Sequence, residues 1–153
     1  MTKVFSQYFG AFDLADREVF RFPNGLPGFE DQFQFAAHSI PGQEPILYLQ
    51  SVTRPELCLI TVPARTFDPS YRPDLSPEDR ETLHLNSSQD AQVGSSLACQ
   101  VIVTVNESRQ PTVNLAAPLV INLANRIGIQ IFQSGAAYSF RHPLVEMPQP
   151  APC

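Results

Sequence analysis

A chain of 153 residues fits one domain with a single apolar core. Its 10 Lys and Arg against 15 Asp and Glu give a formal net charge of -5, which argues against direct binding of a phosphate backbone, because counterion release needs clustered cations. Hydrophobic residues make up 43% and charged ones only 16%, so charge repulsion does not hold the chain unfolded; the 15 prolines exclude long helices, since an interior Pro lacks a donor and clashes with the preceding turn.

From the N-terminus, the first ten residues lack the apolar run of a signal peptide. No window approaches the roughly 18 apolar residues of a membrane span. A cytoplasmic protein with no membrane contact is the expectation. Short runs rich in Val, Ile, Phe and Tyr then recur between Pro, Gly, Asn and Asp, the signature of antiparallel strands. They are Val4 to Phe9, Val19 to Phe22, Phe33 to Ala36, Ile46 to Val52, Leu57 to Val62, Cys99 to Val105 and Ile127 to Phe132, with weaker runs at Thr112 to Leu115 and Leu119 to Asn122. Within Gln100 to Val105, the residues Val101, Val103 and Val105 share one face and Gln100, Ile102 and Thr104 the other, wetter one.

Turn chemistry separates these runs. Asn24-Gly25 and Pro27-Gly28 supply positive-φ positions and a preset φ, which predicts a compact double turn. Ser76-Pro77-Glu78-Asp79 predicts one helix of two or three turns at most, with Ser76 as cap, Pro77 at the tolerated first position and acids at the positive end. Asn86 to Ser96 is too polar to pack and reads as a surface loop; 147–153 reads as a disordered tail after a domain spanning 1–146. The expected fold is all-β: a small antiparallel β-barrel-like or sandwich domain with one short helix.

Chemistry is sparse. Gly94-Ser95-Ser96 lacks the second Gly of a nucleophile elbow. His38, His84 and His142 stand apart, with no His-x-x-x-His or Cys-x-x-Cys pair to hold a metal, and read as solvated or hydrogen-bonded surface residues. Gly25-Leu26-Pro27-Gly28 leads into no Lys-Ser or Lys-Thr, so it is not a phosphate loop. Glu30 and Asp31 are adjacent and face opposite ways on a strand, unsuited to joint proton transfer. Cys58 and Cys99 lie in apolar runs and read as core, and the odd third, Cys153, argues against a disulfide framework. The reading is therefore not an enzyme, with no cofactor and no metal. A small barrel that encloses an apolar ligand or hydrolyses a substrate is the alternative, and a structural subunit of an assembly a third.

Phe22-Pro23-Asn24-Gly25-Leu26-Pro27-Gly28-Phe29-Glu30 resembles the Gly-Ile/Leu-Pro-Gly-Phe-Glu turn of the flagellar assembly factor FliW family. Leu49-Gln50-Ser51-Val52, the run from Thr112 to Asn122, Arg126-Ile127-Gly128-Ile129-Gln130 and Tyr138 to Leu144 agree with that family in order and spacing. The resemblance implies a β-barrel-like domain that binds two proteins, flagellin and the RNA-binding carbon storage regulator CsrA, without itself touching nucleic acid. It further implies a partner switch: the factor holds CsrA off flagellin messenger RNA until new flagellin competes for it. The polar 86–96 loop and the modest acidic content depart from the family's habit.

Gly25, Pro27, Gly28 and Gly128 read as backbone-geometry positions. Phe29, Leu49, Leu115 and Ile121 read as core, while Asn114 and Asn122 suit either buried backbone groups or a partner. Asn24, Glu30, Tyr71, Arg126 and Tyr138 are the candidate partner-binding residues, because polar and aromatic loop residues are enriched in binding hot spots. Val101 to Val105 or Ile127 to Phe132, if at a sheet edge, offers a strand for a partner to pair with.

Overall fold

The computed structural model describes residues 2–14, 19–85, 96–106, 109–133 and 138–144. The 147–153 tail and all of the 86–96 loop except Ser96 lie outside the described residues. The strands are β1 (Thr2–Ser6), β2 (Gly10–Leu14), β3 (Val19–Arg21), β4 (Gln34–His38), β5 (Leu47–Ser51), β6 (Cys58–Pro63), β7 (Leu97–Asn106), β8 (Arg109–Val113), β9 (Leu119–Asn122), β10 (Ile127–Gln130) and β11 (His142–Pro143). Between β6 and β7 lie a 3-10 turn, Ala64–Thr66, and a helix, α1 (Pro77–Thr82).

Seven strands close a ring in the order β7, β6, β5, β4, β3, β10, β9, because β7 also pairs with β9. Its length makes this possible. The first residues of β7 pair with β9, its middle with β6 and its far end with β8, which carries β11 as an outlying edge. Pairing is antiparallel around the ring except at β3 and β10, which run parallel and share one residue pair, Arg21 with Ile127. The choice between barrel and sandwich thus falls to a closed barrel, with β8 and β11 extending outside the ring.

Both faces of this wall are packed, which is why several strands read as unbroken apolar runs. All four residues of β9 are buried. One apolar cluster takes Tyr48, Val62, Cys99, Val101, Val120, Ile127 and Ile129 together with Tyr71 and Leu83. The other takes Phe22, Leu26, Phe35, Leu49, Leu119 and Ile121. Neighbours along β5 and β9 therefore serve opposite clusters, as a two-residue period requires. On β7 the expected alternation holds at Val101 and Val103, which are buried, but Val105 is exposed and Gln100 is buried.

The N-terminal run is a hairpin rather than a single strand. Ser6 Oγ accepts from the N–H groups of Tyr8 and Phe9 at 3.0 and 3.1 Å and stops β1. Gly10 at φ +76° then turns the chain into β2. This two-stranded sheet is separate from the barrel. It docks through Phe9, whose ring lies 4.8 Å from His38 and 5.2 Å from Tyr48, and through a Gln7 N–H to Pro55 carbonyl bond of 2.8 Å.

The double turn forms as expected. Gly25 sits at φ +65°, and a Cβ there would lie 2.6 Å from the Glu30 carbonyl oxygen, so the two arms of the turn touch. Leu26 pairs with Phe29 and plugs the second cluster. The helix is also as expected at its start. Ser76 Oγ accepts from Asp79 N–H and Asp79 Oδ2 accepts from Ser76 N–H, a complete capping box with Pro77 following. Its other end is a Schellman motif, with bonds from Leu85 N–H to the Arg80 carbonyl and His84 N–H to the Glu81 carbonyl. No described helix is long and apolar enough to cross a membrane.

Candidate partner-binding surface

The seam between β3 and β10 carries an open groove. Arg21 N–H donates to the Arg126 carbonyl at 2.8 Å, joining the end of β3 to the β9–β10 turn. That turn is in turn fastened to the helix. Asn122 Nδ2 and Asn125 Nδ2 both donate to the Leu83 carbonyl, at 2.8 and 3.2 Å, satisfying an orphan acceptor at the C-terminal end of α1. His84 is thereby held against the seam. Arg21, Pro23, Phe33, His84 and Ile127 together line an open groove of about 430 Å³. Gly128 belongs to the same construction, since a Cβ on it would lie 2.7 Å from the Phe22 ring.

Two of the five candidate residues lie on the segments that frame this groove. Asn24 is exposed on the turn after Pro23, and Arg126 is half-buried immediately before Ile127, at φ +61°. Glu30 is exposed, but its carboxylate is taken up by its own turn, accepting the Gly28 N–H at 2.5 Å. Tyr71 and Tyr138 are brought together elsewhere, ring centroids 4.5 Å apart.

The expectation for Tyr71 does not hold. It is 0% exposed, and its hydroxyl donates to the Leu115 carbonyl. Its ring has no face left for a partner, and burial, the first cause, pushes its pKa far above the usual tyrosine value. Tyr138 is half-buried and donates to Asp68 Oδ2 at 2.9 Å, with its pKa raised first by burial and then by that carboxylate. The proposed pairing strands are occupied in part, β10 meeting β3 on its second edge through Ile127 alone. Val101 and Ile102 pair with β6 and Val103 and Thr104 with β8, while the whole of β10 pairs with β9.

Two of the histidines differ from the solvated or hydrogen-bonded surface residues expected. His38 packs between the rings of Phe9 and Phe12, and His142 lies 5.3 Å from the Phe67 ring, so both are packing groups. His84 alone is exposed. Among the described residues no three His, Cys, Asp or Glu side chains gather to hold a metal ion. Asn114 and Asn122 serve the backbone: Asn114 Oδ1 accepts from Ala116 and Ala117, and Asn122 Oδ1 from Ala124. Sequence reasoning missed Arg21 and Phe33, because nothing in a three-residue strand or a lone Phe announces exposure; Phe33 is 49% exposed. The strand-to-turn boundary at Phe22-Pro23 was the signal available.

A profile of the FliW protein family matches residues 3–144. The flagellar assembly factor FliW of Syntrophomonas wolfei is 31% identical over 96% of this chain and 91% of its own length. That of Geobacillus sp. strain WCH70 is 33% identical over 93% of this chain and 94% of its own. A crystal structure of the flagellar assembly factor FliW superposes with a TM-score of 0.78 at 31% identity, covering 92% of this chain and 95% of that one.

Proposed function

The chain belongs to the FliW family, and from that premise we propose that it is a flagellar assembly factor that binds flagellin and the RNA-binding regulator CsrA through its outer surface. Held by this protein, CsrA is kept from flagellin messenger RNA; unassembled flagellin displaces it, and translation then follows the demand for filament. The observation that carries the reading is the likeness to flagellar assembly factors over nearly the whole chain, in sequence and in fold. The architecture is in keeping with it. Large side chains pack both faces of the barrel wall, which leaves the exterior as the recognition surface. The net charge of -5 suits a basic partner and disfavours contact with RNA.

The test is calorimetric titration of the purified chain with flagellin and, separately, with CsrA from the same organism. Stable partners bury about 1,200 to 2,000 Å² in such interfaces. Saturable binding of both, with flagellin displacing CsrA from a preformed complex, is expected. Flat isotherms for both proteins at about 10 μM, a concentration at which complexes worth roughly 8 kcal/mol are well populated, would remove the reading.

A further inference from the structure

Resting on the reading of this molecule as a protein-binding platform, we propose that the groove at the β3–β10 seam docks a partner segment in which an acidic residue stands beside an aromatic one. Its lining divides into two chemistries. Arg21 and His84 supply hydrogen-bond donors, and among the described residues no carboxylate lines the groove. Pro23, Phe33 and Ile127 supply apolar surface. On a molecule with net charge -5, a groove whose described lining holds an arginine and no acid is a local reversal of sign. It selects an anion against the field of the rest. Arg21 is exposed, and its side chain makes no hydrogen bond or ion pair among the described residues, so its guanidinium fork is open to a carboxylate.

The backbone gives an independent reason to single out this place. Among the described residues only two that are not glycine adopt positive φ: His84 at 57° and Arg126 at 61°. His84 lines the groove, and Arg126 adjoins it through Ile127. Each occupies a position where glycine costs least, the C′ site of a Schellman motif and the end of a hairpin turn. A basic or imidazole side chain kept at a glycine position is strain spent on the side chain, and such strain gathers at binding sites. Both segments are locked together through the Leu83 carbonyl, so the groove is preformed.

The occupant is a peptide segment because the groove is open and its donors and apolar faces sit side by side. A carboxylate on Arg21 with a ring against Phe33 and Ile127 uses both. The probe is the blocked tetrapeptide acetyl-Gly-Asp-Phe-Gly-amide, titrated to millimolar concentration into the nitrogen-15-labelled full chain. Its Asn-Phe and Asp-Ala counterparts are the controls. Saturable amide shifts confined to 21–25, 33, 83–85 and 125–128 are expected, with each control binding about tenfold more weakly, the loss that follows when a charge-assisted bond or an aromatic contact is removed. Arg21→Glu abolishes the shifts. His84→Gly weakens them while the thermal midpoint holds or rises, because glycine suits that φ, which separates lost recognition from lost fold.

Equal shifts with the Asn-Phe peptide, saturation at a different surface, or no saturable shift in the wild-type chain would each overturn the proposal. The peptide titration involves neither flagellin nor CsrA. Its failure removes the groove and leaves the wider reading to stand or fall on the calorimetry.

Discussion

Tyr71 shows how a side chain's neighbours decide its work. Its hydroxyl saturates the Leu115 carbonyl inside the core, so Tyr71→Phe strands a buried acceptor and should cost about 1–3 kcal/mol in urea unfolding. Gly25→Ala should cost at least as much, about 2 kcal/mol, because φ is +65° and the new methyl meets backbone, which cannot rotate away. Cys99 gives a pH dependence. Burial raises its thiol to about 12 from 9.0. The unfolded chain loses that proton first, so the stability it holds is fully present below pH 9 and is lost as pH rises toward 12. Unfolding free energies from urea titrations should fall across that window by about 1.4 kcal/mol per pH unit for each such group, Tyr71 adding to the fall at its upper end. In the folded protein below pH 9, Cys99 should resist thiol reagents while half-buried Cys58 reacts. Other motif residues prove to be anchors. Gln50 Nε2 donates to the carbonyls of Ser51, Arg54, Pro55 and Leu57. Ser51 Oγ donates to Gln32 and accepts from Thr53 and Arg54. Between them they shape the loop joining β5 to β6.

Elements were legible where the signal is local. The cap, first-turn proline and acids of α1 were readable because each acts within four residues, and the capping box is complete. Ser76→Ala should therefore destabilise the chain by about 1 kcal/mol in urea unfolding. Losing that much from a helix of six residues should also speed amide exchange at Asp79. The β4, β5, β6, β9 and β10 runs were readable from their apolar content and turn residues. The first hairpin was not, because its turn depends on Ser6 accepting two backbone bonds, and a Ser-x-x-Phe-Gly run carries no strong hairpin signature. The two-residue β11 escaped for a similar reason, since it exists only by pairing with β8. Exposure of the candidate residues was hardest to read. Tyr71 and Arg21 differ in burial through long-range packing that no short window contains.

At the scale of the whole molecule, barrel and sandwich were inseparable in the sequence because closure rests on so little. Six junctions of the ring have three or more paired residues, while the one between β3 and β10 has a single pair. Its partners are distant along the chain, so this junction is expected to form after the meander from β3 to β7 and to open before the other ring junctions. Native-state hydrogen exchange should place the Arg21 amide below the amides of β5 and β6 in protection. The reverse order would mean that the Phe22 ring against Gly128, and not the backbone, is the stronger fastening.

The groove straddles that lone junction, with Arg21 on one lip and Ile127 on the other. Any guest that grips both lips acts as a rivet, and the ring's resistance to heat becomes a gauge of how much guest is present. At a hundredfold excess over its dissociation constant such a guest adds about 2.7 kcal/mol to stability, readable as a rise in melting temperature that Arg21→Glu erases.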